Sequence, residues 1–325
     1  MSLSTRFTEL VGCSVPLQLA GMPQTTTPEL VAAVADAGGL GMLGATMLPA
    51  AGLEPALEDL GRRTPGAIGV NFLMPFLERD AVAVAARGAR VVEFFYADPE
   101  PGLVAAVHEG GALAGWQVGS ASEAVAAQAA GCDYVVAQGV EAGGHVRGRI
   151  GVLALLDQVL EAVAVPVVAA GGVGSARGMA AALAAGADAV RVGTRFVAAA
   201  ESGAHRVYVQ ALLGAEAADT VVTEAFSVMW PGAPHRVLRS SLEEAVRVGE
   251  DELVGEIEIG GRAVPLPRFA VPSPTTTTTG RIEAMPHYAG ESVGSVREVA
   301  PAAEIVRELA EGAERLLRRW GAESS

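Results

Sequence analysis

From residue 15 to about residue 194, short apolar runs alternate with alanine-rich segments of helical period. The runs are Val15–Ala20, Leu40–Ala45, Ala67–Leu73, Arg90–Tyr96, Leu113–Val118, Asp133–Gln138, Val165–Ala170 and Asp188–Gly193. They are rich in Val and Ala and show no polar alternation, which predicts parallel strands covered on both faces. Thr27-Pro28 with Glu29, Ser122 before Glu123 and Ser175 ahead of Arg177 are helix starts, and Gly38, Gly131 and Gly186 sit where helices should stop.

Eight strand–helix units with right-handed crossovers predict a closed (β/α)8 TIM barrel. The competing open doubly wound sheet would place a phosphate-binding glycine turn after its first strand. Here that turn reads Gly21-Met22-Pro23-Gln24 and holds no GxGxxG. Beyond residue 220 the rhythm stops. Residues 262–280, proline-bearing and ending in the run Thr275–Thr279, read as an extended loop. Ile305, Leu309, Ala313, Leu316 and Trp320 then fall on one face of a helix over Pro301–Trp320. The expected division is a barrel over residues 1–219 and a C-terminal cap or lid with its terminal helix over 220–325.

Barrel enzymes carry their chemistry in the loops after each strand. Three amides, Asn71, Gln117 and Gln138, interrupt otherwise apolar strands at that end, where a buried polar side chain needs a partner. Together they offer donors and acceptors to a heterocyclic ring; bracing of loops is the alternative use. The turns Gly171-Gly172-Val173-Gly174 and Gly193-Thr194 follow the last two strands. Their backbone N–H groups, with a helix starting at Ser175, form a cradle for an anion that needs no cationic side chain. Of the five histidines only His145 lies on a glycine-rich loop just past a strand end, Gly139-Val140-Glu141-Ala142-Gly143-Gly144-His145. It is the candidate general base or hydrogen-bond donor to an anion. No metal-ligand spacing and no Gly-x-Ser-x-Gly elbow occurs near a strand end.

Composition narrows the chemistry further. Twenty-three basic residues against 37 acidic ones give a net charge of −14, which disfavours nucleic acid as a partner. All the basic residues are arginine, so Schiff-base catalysis, covalent pyridoxal phosphate and a phosphate-loop lysine are excluded together. Cys13 and Cys132 are too few for a disulfide framework. No apolar stretch reaches the ~18 residues of a membrane helix, and no signal peptide stands out, so a cytoplasmic location is expected.

These segments resemble the nitronate monooxygenases, formerly 2-nitropropane dioxygenases. The resemblance rests on Pro28–Val34 leading to Ala37-Gly38-Gly39-Leu40-Gly41, on Gly69-Val70-Asn71-Phe72, and on Ala137–His145. It continues through Pro166–Gly172, Ala187–Val190, Gly193-Thr194-Arg195-Phe196 and the late Tyr288-Ala289-Gly290. It implies a flavoprotein barrel that holds FMN non-covalently. Met22, Asn71, Gln117 and Gln138 would line the ring and ribityl chain. Gly171, Gly172, Gly193 and Thr194 would hold the phosphate, Gly174 of the same turn and Gly143 of the histidine loop would also contact the cofactor, and His145 would face the substrate. The implied reaction oxidises an alkyl nitronate or nitroalkane with O2 to a carbonyl compound and nitrite. The alternatives are an FMN-dependent enoyl-acyl-carrier-type reductase using NAD(P)H and a non-redox barrel that binds a phosphate ligand. A homodimer is a possible assembly.

Three positions depart from the family pattern. Ala20-Gly21-Met22 stands where Ala-Pro-Met is common and is closer to the related flavin enoyl reductases. Phe94-Phe95-Tyr96-Ala97-Asp98-Pro99 replaces a small glycine-containing turn after the fourth strand. With no lysine near the ring, Gln117 or a backbone dipole is left to stabilise a reduced flavin.

Overall fold

The structure, a computed structural model, describes residues 3–46, 48–259 and 262–321. Eight parallel strands form its centre: β1 (Leu17–Leu19), β2 (Gly41–Gly44), β3 (Ile68–Leu73), β4 (Val91–Phe95), β5 (Leu113–Val118), β6 (Tyr134–Gln138), β7 (Val167–Ala170) and β8 (Ala189–Val192). Each pairs with the next in sequence, and β8 pairs with β1. Leu19 N–H donates to Leu40 O and Leu40 N–H to Leu17 O, both at 2.9 Å, which closes β1 onto β2. The fold is a (β/α)8 barrel, and closure sets the open sheet aside. All eight expected strands are present.

Thr27 and Ser175 cap their helices as expected, but the next cap is Ser120, whose hydroxyl accepts from Glu123 N–H; Ser122 lies inside that helix. Gly38, Gly131 and Gly186 have φ of 93°, 96° and 102°, the left-handed stop that a Cβ disfavours. One element escaped the hydrophobic pattern. The helix Arg6–Val11 lies beneath the barrel, where Phe7 is fully buried edge-on to Tyr134 at 5.4 Å and Arg6 pairs with Asp188 at 2.7 Å.

The terminal helix Ala302–Gly321 buries Ala302, Ile305, Val306, Leu309 and Ala313 in the barrel core, against the helices Ala176–Ala184 and Pro28–Asp36. By packing it completes the outer helical ring, although a division at residue 219/220 groups it with the cap. The side chain of Trp320 lies outside the described residues.

Between β8 and this helix the chain builds two small sheets over the C-terminal mouth of the barrel. One joins Thr220–Thr223, His235–Leu238 and the two-residue strand Gly144–His145. The other joins Leu253–Ile259 to Arg262–Pro267 and Thr279–Gly280. Residues 262–267 were expected in a loop because of Pro265 and Pro267. They form an edge strand, a place in a sheet where a residue without an N–H is tolerated. Among the described residues no helix is long and apolar enough to cross a membrane.

Candidate functional site

The loops after the strands and the underside of the cap enclose one cavity. Met22, Asn71, Gln117, Gln138, Gly143, His145, Gly171, Gly172, Gly193 and Thr194 all line it. Gly174 does not: it sits behind, where a Cβ would come within 2.8 Å of Ser292 and Ser295 of the cap. Its role is to admit the cap.

Each turn has a local reason. Gly171 and Gly172 hold φ of 100° and 68°, which turns the chain sharply from β7 towards the helix capped by Ser175. Gly193 follows the neighbouring strand β8, so both turns face the same end of the cavity. The Thr194 hydroxyl is engaged by Gly290 N–H at 3.0 Å, which leaves its backbone for any ligand. At the first turn, a Cβ on Gly21 would lie 2.6 Å from that of Asn71. Glycine in place of the common proline is therefore what lets Asn71 reach the cavity wall.

The histidine loop is rigid. Glu141 accepts Val152 N–H at 3.0 Å and caps the next helix, while Arg236 reaches Val140 O at 2.9 Å and Glu291 at 3.1 Å. Gly143 passes so close to the cap that a Cβ would meet Gly290 N at 2.4 Å. Gln138 donates to His145 O at 3.0 Å from below.

The His145 ring stacks on Trp230, centroids 3.9 Å apart and planes at 20°, with Tyr96, His235 and Tyr288 around it. Burial, then the neighbouring His235, pushes its pKa down to about 3. The imidazole is thus neutral at ordinary pH. His235 is occupied elsewhere: its Nδ1 meets Ala233 O at 2.8 Å and its Nε2 accepts Phe226 N–H at 3.3 Å.

Among the described residues four buried side-chain polar atoms have no hydrogen-bond partner. Three of them, Thr46 Oγ1, Gln138 Oε1 and His145 Nε2, belong to residues of this cavity. Buried polar atoms are normally paired, so three orphans around one cavity mark a place for a polar ligand. The residues fit a flavin phosphate at the glycine turns and a heterocyclic ring along the amides.

Several participants were not anticipated. Glu93 in β4 and Arg191 in β8 form a buried ion pair beneath the cavity, and Arg191 donates to Gln117 Oε1. A cation therefore does lie close to the expected ring site, contrary to the inference from the missing lysines. The available signal was a lone charge in the middle of each apolar strand, Val-Val-Glu-Phe-Phe and Ala-Val-Arg-Val, which burial obliges to pair. Trp230, from an irregular stretch of the cap, carried no such signal.

The nitronate monooxygenase profile matches residues 4–81 and 76–312. The chain belongs to the nitronate monooxygenase family. Like other enzymes of that family it is an oxidoreductase. The chain is 38% identical over 254 residues (77% of this chain, 70% of the relative) to the (3aS,4S,5R,7aS)-5-hydroxy-7a-methyl-1-oxo-octahydro-1H-indene-4-carboxyl-CoA dehydrogenase of Mycobacterium tuberculosis. Among solved structures it is similar to FabK from Thermotoga maritima (TM-score 0.80, 30% identity, 98% of this chain and 99% of that one). It is also similar to the nitroalkane oxidase of Streptomyces ansochromogenes (TM-score 0.79, 30% identity, 97% and 99%).

Proposed function

We propose that this nitronate monooxygenase family member binds FMN non-covalently and oxidises small alkyl nitronates with dioxygen. Two nitronates and one O2 balance two carbonyl compounds and two nitrite ions. The observation that carries the reading is the set of unpartnered polar atoms around one cavity that also holds the glycine turns of β7 and β8. The N–H groups at 171, 172, 193 and 194 would hold the phosphate, and Met22, Asn71, Gln117 and Gln138 would contact the ring and ribityl chain. When bound, the flavin supplies an electron acceptor that dioxygen can reoxidise.

His145 faces the substrate. With its pKa near 3 the ring is a feeble proton acceptor, whereas a neutral imidazole donates a hydrogen bond well. Its task is therefore to hold an anion that arrives already deprotonated. Trp230 fixes the ring plane, and the cap over the barrel mouth would limit the access of water. This favours preformed nitronate over neutral nitroalkane as the substrate.

The test begins with the visible spectrum of the purified protein, followed by anaerobic addition of nitronate or of reduced nicotinamide. Bleaching by nitronate alone supports the oxidase. Rapid bleaching by nicotinamide points instead to a reductase, the second reading, which the Ala-Gly-Met turn favours. A colourless protein that refuses FMN leaves a non-redox phosphate binder. His145→Ala is expected to retain flavin and to lose at least ~10-fold in kcat/KM on nitronate, about one hydrogen bond to an anion.

A further inference from the structure

We propose that the buried Glu93–Arg191 pair is a positioning device: it locks the amides of Asn71 and Gln117 so that Asn71 turns its carbonyl oxygen, and Gln117 its NH2 group, towards the cavity. It thereby sets the polarity with which the site recognises a flavin ring, and in that sense it rests on the flavin reading above.

The assignment follows from what each group can do. A guanidinium only donates and a carboxylate only accepts. Arg191 Nη1 donates to Gln117, so the atom facing it is Oε1 and the NH2 points away. Asn71 Nδ2 donates to Glu93 at 2.9 Å, so its Oδ1 is the free end. Flipping either amide would break a charge-assisted bond and set like poles together. The pair is itself held on every side. Gln18, the cross-strand partner of Arg191, accepts from its Nε at 3.2 Å and donates to Glu93 at 3.1 Å. Tyr134 donates to Glu93 at 3.0 Å, and a Cβ on Gly115 would lie 2.4 Å from the Tyr134 ring, so glycine there makes room for it. Asn71 and Glu93 are cross-strand partners as well.

Both charges are withdrawn from water: Glu93 is 0% exposed and the Arg191 side chain 6%. A buried ion pair is a poor source of stability, since the desolvation cost matches or exceeds the attraction. Its use is better sought in what it orients. Of the three amides it holds, Gln18 braces the pair from β1, while Asn71 and Gln117 line the cavity from β3 and β5.

The experiment measures FMN stoichiometry and the flavin's two-electron reduction potential, by equilibration with reference dyes, in the wild-type protein and two variants. Gln117→Met removes the proposed donor. Glu93→Gln with Arg191→Met removes both charges together, so neither is left unpaired, and frees the amides to flip. Each is expected to bind flavin and to shift the reduction equilibrium about 10-fold against the reduced form, ~30 mV for a two-electron couple. A merely structural pair would lower the melting temperature of the double variant and leave the potential within about 3-fold of wild type; that result overturns the proposal. Should the double variant fail to fold, Gln117→Met decides alone. Wild-type protein that refuses FMN overturns the flavin reading and this inference with it. FMN-loaded wild type with unmoved variants overturns only the positioning.

Discussion

At the scale of single residues the site shows where close approach forced a choice. Tyr96 holds φ at 75°, a region that a side chain rarely enters, just where the family's small glycine turn would sit. Its ring contacts explain the exception: it meets Trp230 edge-on at 4.7 Å and His145 at 6.0 Å. Tyr96→Gly relieves strain of about 1–3 kcal/mol and removes aromatic contacts worth about 0.5–1.5 kcal/mol each. Three such contacts, with Trp230, His145 and Phe95, together with the burial of the half-buried ring outweigh the strain relieved, so urea unfolding should show the variant less stable by about 1–3 kcal/mol. Meanwhile kcat/KM should shift towards bulkier nitronates as one flank of the His145 stack opens. Unchanged preference across a nitronate series would mean that this flank of the His145 stack has no bearing on substrate size. Gly172→Asp is the complementary case. Its φ of 68° resists a side chain, and a Cβ there would come within 3.3 Å of Glu141, so aspartate adds bulk and a second carboxylate beside the phosphate turn. The expected product is folded but flavin-poor protein, read from the ratio of flavin to protein absorbance; full occupancy would displace the cradle from this turn.

At the scale of elements, the histidine loop behaves as part of the cap. Its Gly144–His145 pair is a strand of the cap's own sheet; Gln138 ties it to the barrel from below, and the cap is tied to the barrel in turn by the bond from Gly290 N–H to Thr194 Oγ1. Thr194→Val keeps the shape but leaves that buried N–H without an acceptor, a cost of about 1–3 kcal/mol, and Thr194→Ser should restore most of it. Chemical denaturation of the three proteins checks the order. Retained flavin in the valine variant would fit a backbone contribution to the phosphate site. The contrast between barrel and cap also explains what the chain made legible. Strands β1–β8 are covered on both faces, so their composition alone marks them, and the residues at their ends could be placed on one rim. The cap strands are short and held by pairing across distant segments. Their identity depends on which edge is free, as with Pro265, and on partners such as Arg236 and Val140 that lie far apart in sequence. Glu93 and Arg191 fall between these cases: each was visible as an odd charge in a strand, yet only the barrel's closure brings them together.

At the scale of the whole molecule, the buried histidines tie stability to pH. Burial pushes His145 down to about 3 and His287 down to about 4, and it also lowers His235. All three stay neutral in the folded protein while the unfolded chain protonates them near their ordinary value of ~6.5. Below that pH the unfolded state binds more protons, so stability is present above ~6.5 and is lost as pH falls towards 4, at up to about 1.4 kcal/mol per pH unit for each such group. His287 isolates the effect from the active cavity. It is 2% exposed, stacks on Tyr208 at 4.8 Å, and its ring hydrogen-bonds only through Nε2, to Ile282 O at 3.1 Å. His287→Gln keeps an amide able to reach that carbonyl and cannot titrate. The variant is expected to be less stable than wild type at pH 8 because the stack is lost, yet to show a shallower loss between pH 6.5 and 4, so that the two unfolding curves converge on acidification. Parallel curves would mean that His287 takes up its proton without unfolding, and the acid sensitivity would then belong to His145 and His235 at the mouth of the barrel.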